Sequence, residues 1–329
     1  MIVKKNPNYL KYLQIFIFFA VIVSLILFVN HHRKDFVFLA NIKPLYLVIV
    51  ALLSANSLLL FTIQFYFIFN MFTTNLKFKD CFIYFTVGRF LNKIIPYGGG
   101  VYRAVLLKKH FKLKYKDYIA SFLFSNWLNG VFSLLCAIII AASLNFLKVS
   151  ENPMLLFLGG FFILYLLAYP VPKGMLRLFP WFKKFGPLAK LSEAGDIFKS
   201  ITHILKNRRI LLISVTTTAA LCLNFGLIFH FCALSINTPL PIDMLALLVV
   251  TITIGLLIKI TPANLGINEA IFAYMAQTQG YSLAQGLSLS LIIRIFAFLL
   301  QGLLSVYFLV GDRKIGLLIF QNPKRFPDE

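Results

Sequence analysis

The sequence predicts an all-α integral membrane protein with about six full transmembrane helices and two further apolar segments that Pro and Gly interrupt. Of its 329 residues, 60% are hydrophobic and only 13% are charged. A soluble domain carries about 45–50% apolar and about 25% charged residues. The chain is also strongly basic, with 32 Lys and Arg against 11 Asp and Glu. Because so much of the sequence is apolar, we expect the positive charge to face a membrane and not a nucleic acid.

Six continuous apolar stretches are long enough to cross a bilayer, for which a helix needs about 20 residues. The first is preceded by lysines but is followed by no small-residue cleavage site, so we interpret it as a retained anchor helix. Residues 1–329 are expected to form one polytopic membrane domain. The six stretches are Leu13–Val29, Leu45–Phe69, Tyr118–Leu144, Met154–Tyr169, Ile210–Ile236 and Leu283–Val310.

Two other apolar segments are broken. Phe82–Ile95 runs into Pro96-Tyr97-Gly98-Gly99-Gly100, and Met244–Thr261 runs into Pro262-Ala263-Asn264-Leu265-Gly266. If each segment leaves the membrane on the side it entered, 24 of the 32 basic residues lie on one side and four on the other. Full crossings would instead separate the basic groups of 108–116 and 173–209 from the rest. The positive-inside rule therefore favours re-entrant segments, with both termini cytoplasmic, in the plasma (inner) membrane.

The long basic loop at about 173–209 contains apolar residues at helical spacing, with lysines between them. This pattern predicts a basic amphipathic helix on the inner leaflet. Docking of a partner protein is the alternative. The apolar residues are Leu188, Leu191, Phe198, Ile201 and Leu205.

The two breaks can be superposed as an internal repeat. Pro96 maps onto Pro262, Gly100 onto Gly266 and Arg103 onto Glu269. Three full spans separate the copies, so they enter from opposite faces and form an inverted repeat, as in many secondary transporters. Repeat 1 covers about 45–144 and repeat 2 about 210–310.

In the first copy, we predict a phosphate-binding cluster of cations around the break. Arg89 and Lys93 are four residues apart and share a helix face. Arg103 is expected in the first turn of the helix that restarts after the glycines, where free N–H groups favour an anion. The alternative is that Arg89 and Lys93 only anchor the helix at the inner surface. The predicted binding residues of this copy are Arg89, Lys93, Pro96, Gly98, Gly99, Gly100, Arg103 and Asn126.

In the second copy, the predicted binding residues are Pro262, Gly266, Glu269 and Arg294. An unpaired Arg at bilayer depth costs from about 2.5 to above 10 kcal/mol. Glu269 is therefore the expected partner of Arg294, in either a functional or a purely structural pair. Most other polar groups within spans are expected to form interhelical hydrogen bonds. They are Asn56, Gln64, Asn126, Asn129, Asn224 and Gln301.

At these residues the chain resembles the lysylphosphatidylglycerol synthase transmembrane, or flippase-like, family. Asn92–Arg103 resembles the family's first motif and Lys259–Glu269 its second, and the resemblance runs from about Leu13 to Val310. In bifunctional members the membrane domain is thought to move an aminoacylated phospholipid between leaflets, while a separate domain makes it. Only a short tail follows the last span here, so a synthase or lysyltransferase activity is not expected.

The leading hypothesis is thus a lipid flippase for an anionic or aminoacylated phospholipid, or for a polyprenyl-phosphate-linked lipid. The expected partners are membrane lipids with an anionic phosphate headgroup, and possibly a lipid-modifying synthase. An accessory subunit of a lipid or cell-envelope biosynthetic complex is the alternative. A membrane transferase is disfavoured because no D-x-D or H-x-x-x-D pattern occurs among the acidic residues in an outer loop. The scattered cysteines indicate no metal site, and no cofactor, nucleotide or nucleic acid is expected.

Overall fold

The computed structural model of the chain describes residues 41–73, 75–95, 98–144, 191–255, 264–278 and 280–311. Within these ranges the protein is built from nine α-helices and contains no strand. The predicted spans Leu13–Val29 and Met154–Tyr169, and the prolines Pro96 and Pro262, lie outside them. The helices are α1 (Pro44–Phe69), α2 (Phe78–Ile94), α3 (Gly98–Phe111), α4 (Tyr115–Leu144), α5 (Leu191–Lys206), α6 (Arg208–Ser235), α7 (Ile242–Gly255), α8 (Ile267–Thr278) and α9 (Leu283–Gly311).

Four helices, α1, α4, α6 and α9, are long and apolar enough to cross a bilayer. They confirm four of the six predicted spans. At a rise of about 1.5 Å per residue, even 26 residues extend about 39 Å, which exceeds a hydrocarbon core of about 30 Å. Local capping determines where a helix begins, as α6 shows. The Asn207 side chain accepts a hydrogen bond from the N–H of Ile210, so α6 begins at Arg208.

Helices α1 and α6 are antiparallel neighbours that pack along much of their length. The backbone N–H of Lys43, just before α1, donates to the carbonyl of Ser235 at the end of α6. Hydrogen bonds also cross the interface at depth: Asn56 donates to Asn224 at 2.8 Å, and Gln64 donates to the Thr218 hydroxyl at 3.1 Å. The predicted interhelical role is confirmed for Asn56, Gln64 and Asn224.

Each broken segment forms a pair of short helices whose two outer ends lie at the same end of the bundle. Before α2, the Thr73 hydroxyl donates to the carbonyl of Phe111, the last residue of α3. Beyond α8, the Tyr281 hydroxyl donates to the carbonyl of Pro239, which precedes α7. The first pair follows α1 and the second follows α6, and these two helices are antiparallel. The outer ends of the two pairs therefore lie at opposite ends of the bundle.

The structure corrects the predicted start of α3. This helix begins at Gly98, so the three glycines form its first turn and do not precede it. An early start is possible because Gly98 and Gly99 find acceptors for their N–H groups, in the Ile95 carbonyl and the Asn92 side chain. Arg103 is therefore the sixth residue of α3 and lies in its second turn, not its first.

Helix α5 is the predicted amphipathic helix, although Leu188 lies outside the described residues. Its apolar residues Ile201 and Ile204 are buried, while Leu205 is exposed. The helix packs on α4 and α6. Ile201 and Ile204 thus pack against protein, while Lys199 and Lys206 are exposed together with Leu205.

Most of the described basic residues that lie outside the interior of the bundle are clustered at the end where α5 packs. Phe72, beyond the end of α1, contacts the His203 ring of α5, and Lys116 of α4 pairs with Asp196 of α5. The opposite end of the described chain carries Lys43. The basic end holds Lys77, Lys79, Lys108, Lys109, Lys112, Lys114, Lys116, Lys199, Lys206, Arg208 and Arg209.

Candidate functional site

A cavity of about 190 Å³ lies between α1, α2, α6, α8 and α9. Helix α2 of the first broken pair and helix α8 of the second both contribute to its wall. Phenylalanines of α6 and α8 form much of its apolar wall. Its cationic lining consists of Arg89, Lys93 and Arg294, and its polar lining of Ser54, Ser57, Asn268, Ser290 and Gln301.

Arg89 and Lys93 come from one face of α2, four residues apart, and both line the cavity. The Arg89 guanidinium lies over the Phe61 ring at 4.1 Å, a contact worth about 0.5–2 kcal/mol. Lys93 is close enough to interact electrostatically with both Arg89 and Arg294. Among the residues that the structure describes, no carboxylate lies within salt-bridge distance of Arg89 or Lys93. These two cations repel each other, and no carboxylate of the described residues neutralises them. Both are therefore positioned to bind an anion.

Arg294 and Glu269 form the ion pair that the sequence predicts, with Nη2 of Arg294 2.7 Å from Oε1 of Glu269. The glutamate is 2% exposed and the arginine 19%. The Ser290 hydroxyl donates to the same oxygen at 3.2 Å, and the other carboxylate oxygen accepts the N–H of Gly266 at 2.6 Å. Both oxygens of Glu269 are therefore engaged, and the pair positions Arg294 at the cavity wall.

The local sequence explains why Glu269 is held so firmly. Gly266 precedes α8 with a φ of +90°, a conformation that favours glycine. The carboxylate three residues later reaches back to the Gly266 N–H, as in half of a capping box. A negative charge in the first turn is also favoured by the helix dipole. Asn268, beside Glu269 in this turn, is thereby brought to the cavity.

In the first broken segment, two glycines bring α2 and α3 into direct backbone contact. A Cβ at Gly99 would overlap the carbonyl oxygen of Gly88. The Asn92 side chain accepts the Gly99 N–H at 2.9 Å across the break. Gly100, in contrast, has open space where a Cβ would lie. Gly99 is thus a packing residue, and the predicted anion at the start of α3 would find two N–H groups already engaged.

Arg103 does not line the cavity. It is 3% exposed and lies over the Phe85 ring at 4.5 Å. Its stem fills the space left by Gly88, since a Cβ there would come within 2.9 Å of the Arg103 Cγ. The structure therefore groups Arg89 and Lys93 with Arg294 and places Arg103 in the α2–α3 interface.

Asn126 is also absent from the cavity wall, because it belongs to α4, of which no described residue lines the cavity. The residues that sequence reasoning missed are Ser54, Ser57, Asn268 and Ser290. Small hydroxyl groups within apolar helices are too common to single out. The one available signal was the spacing of Ser54 and Ser57, three residues apart on one helix face.

A second group of charges joins α5 to the first turn of α4. The Ser200 hydroxyl donates to the buried Asp117 carboxylate at 2.6 Å. Asp196 pairs with Lys199 at 3.0 Å and Lys116 at 3.2 Å. Hydrogen bonds from Lys199 and then Lys116 hold the pKa of Asp196 below its usual range. This group fixes α5 on the bundle and does not extend to the cavity.

Comparison with known proteins identifies the family. The model for the lysylphosphatidylglycerol synthase transmembrane region matches residues 15–305. The match covers most of the chain, so the protein belongs to this family and is an integral membrane protein related to lipid handling. No curated protein and no solved structure matches the chain.

Proposed function

We propose that this member of the lysylphosphatidylglycerol synthase transmembrane family moves a lipid with a phosphate-bearing headgroup between leaflets. The candidate cargoes are an anionic or aminoacylated phospholipid and a polyprenyl-phosphate-linked lipid. One observation carries the proposal: Arg89, Lys93 and Arg294 surround a cavity inside the bundle, with Glu269 as the one carboxylate beside them among the described residues. Cations at such depth are costly unless paired, and a phosphate headgroup would supply the missing charge.

The two broken helix pairs supply the framework for movement. In our proposal they are re-entrant elements of an inverted repeat, each open to one leaflet. Such repeats transport by rocking or gating one half against the other around a central site. Arg89 and Lys93 belong to the first copy, whereas Arg294 of α9 is tied to the second through Glu269. A headgroup bound between them would contact both halves in every state.

The distribution of basic residues supports an orientation. The end that carries α5 would face the cytoplasm, according to the positive-inside rule, and its lysines and arginines would contact the anionic inner leaflet. With this orientation the chain would lie in the plasma (inner) membrane with both termini cytoplasmic. Labelling single cysteines placed at Lys109 and Asn237 from either side of intact cells tests it. Accessibility of Lys109 from outside would contradict it.

Transfer is tested with the full chain reconstituted in vesicles. Fluorescent phosphatidylglycerol, phosphatidic acid and lysyl-phosphatidylglycerol are followed between leaflets by dithionite quenching. Arg89→Gln and Lys93→Gln should each slow transfer at least tenfold, since each removes one cavity cation. Lys109→Gln is the matched control, because it makes the same charge change at an exposed position of α3 and should transfer at the parental rate. Equal rates in all variants would contradict the site.

The same measurement addresses the alternative of an accessory subunit. A folded, reconstituted protein that transfers none of these lipids, yet purifies with a lipid-modifying synthase, would overturn the transport proposal. We propose no catalytic residue for this chain.

A further inference from the structure

We infer that the cavity selects a compact headgroup with two negative charges, a lipid phosphomonoester, over any headgroup that carries an amine. This inference rests on the proposed function and names the class of lipid. Three features of the described cavity support it: its charge, the engagement of the neighbouring Glu269 carboxylate, and its volume.

The described lining of the cavity calls for two negative charges. Arg294 and Glu269 neutralise each other at 2.7 Å. Arg89 and Lys93 remain, and no described carboxylate pairs with either. A phosphodiester headgroup such as phosphatidylglycerol brings a single negative charge. A phosphomonoester carries about −1.5 to −2 at pH 7, which matches the two remaining cations.

Among the described residues, an ammonium group would find no acceptor of opposite charge that is free of other partners. Glu269 is the acidic residue nearest the described cavity, and both of its oxygens are already bound by Arg294, Ser290 and the Gly266 N–H. The hydroxyls of Ser54 and Ser57 donate to carbonyls of their own helix. An aminoacyl headgroup would therefore place its cation beside Arg89 and Lys93, where like charges disfavour binding.

The volume of the cavity also favours a compact headgroup. Pockets that enclose drug-sized ligands are roughly 300–1,000 Å³, and this cavity is about 190 Å³. It suits a phosphate group, with the acyl or prenyl chains left in the bilayer, better than a glycerol with an attached amino acid. The side-chain amide of Asn268 lines the same space and offers a neutral donor to a phosphate oxygen.

Binding to the full chain in nanodiscs of neutral lipid provides the test. Native mass spectrometry compares phosphatidic acid, phosphatidylglycerol and lysyl-phosphatidylglycerol at equal concentration. We expect phosphatidic acid to bind at least tenfold more tightly than phosphatidylglycerol, a difference of about 1.4 kcal/mol, and lysyl-phosphatidylglycerol to bind most weakly. Arg89→Gln should reduce the preference for phosphatidic acid to less than threefold, and Lys109→Gln should leave it unchanged.

The possible outcomes are distinct. Equal or tighter binding of lysyl-phosphatidylglycerol overturns the inference, while its transfer in vesicles would still support translocation. Preference for phosphatidic acid without transfer of any lipid supports the inference and contradicts the proposed function. Competition by inorganic phosphate is measured in the same binding assay. If it competes with phosphatidic acid at comparable concentration, the site is one for a soluble anion and the inference fails.

Discussion

Replacing Gly99 by alanine should lower the stability of the fold, because it inserts a methyl group where α2 and α3 touch. The new Cβ would overlap the carbonyl oxygen of Gly88 and come within 2.9 Å of the Asn92 Cγ. Backbone cannot rotate out of the way as a side chain can, so the two helices must separate. Separation also stretches the hydrogen bond from the Gly99 N–H to Asn92.

The magnitude follows from three terms. Overpacking costs about 1–3 kcal/mol, and loss of the hydrogen bond costs about 0.5–1.5 kcal/mol. Alanine regains about 0.5–1 kcal/mol of helix propensity. The net loss is about 2 kcal/mol. At Gly100, where a Cβ meets nothing within 4 Å, only the propensity term applies, so Gly100→Ala should raise stability by about 0.5–1 kcal/mol.

Thermal unfolding of the full chain in detergent, followed by size-exclusion chromatography of heated samples, measures the difference. A loss of 2 kcal/mol corresponds to a Tm lower by roughly 4–8 °C, taking about 2–4 °C per kcal/mol. Gly100→Ala should not lower Tm. The reasoning is refuted if both alanines shift Tm in the same direction by similar amounts, or if Gly99→Ala is as stable as the parent.

Three other predictions concern the charged groups. Glu269→Gln should lower stability by about 3–5 kcal/mol because it leaves the Arg294 charge without its carboxylate. Adding Arg294→Gln should recover part of that loss, and additive losses in a double-mutant cycle of Tm measurements would contradict coupling. Asp117→Ala should loosen α5, since the Ser200 hydroxyl loses its buried acceptor at a cost of about 1–3 kcal/mol; hydrogen exchange of residues 195–206 should rise while that of α1 stays constant. Because its two lysine partners depress the folded pKa of Asp196, its stabilising effect is fully present above the unfolded value of about 3.9 and is lost as pH falls through the folded pKa. The difference in α5 exchange between the parent and Asp196→Asn should therefore stay constant between pH 5 and 7. A difference that disappears within that window would be inconsistent with the pairing.

Several features of the site depend on where helices cross, which no local pattern encodes. Arg103 follows the first break as Glu269 follows the second, so sequence spacing assigns them equivalent places. In the structure α3 starts at Gly98, within the glycine run, whereas α8 starts only after Gly266. The two charges therefore differ by one helical turn, and Arg103 enters the α2–α3 interface beside Gly88 while Glu269 stays at the helix start.

The sequence by itself determined the membrane character, four helices long and apolar enough to cross a bilayer, the two breaks and the Glu269–Arg294 pair. Each of these follows from hydrophobic length, from Pro and Gly, or from the cost of an unpaired charge in lipid. Only the tertiary structure decided which cations share a cavity. Lys93 and Arg294 are 201 positions apart in the chain, and the packing of α2 against α9 brings them together. Such packing depends on side-chain shapes along both helices, which the spacing of charges in one segment does not reveal.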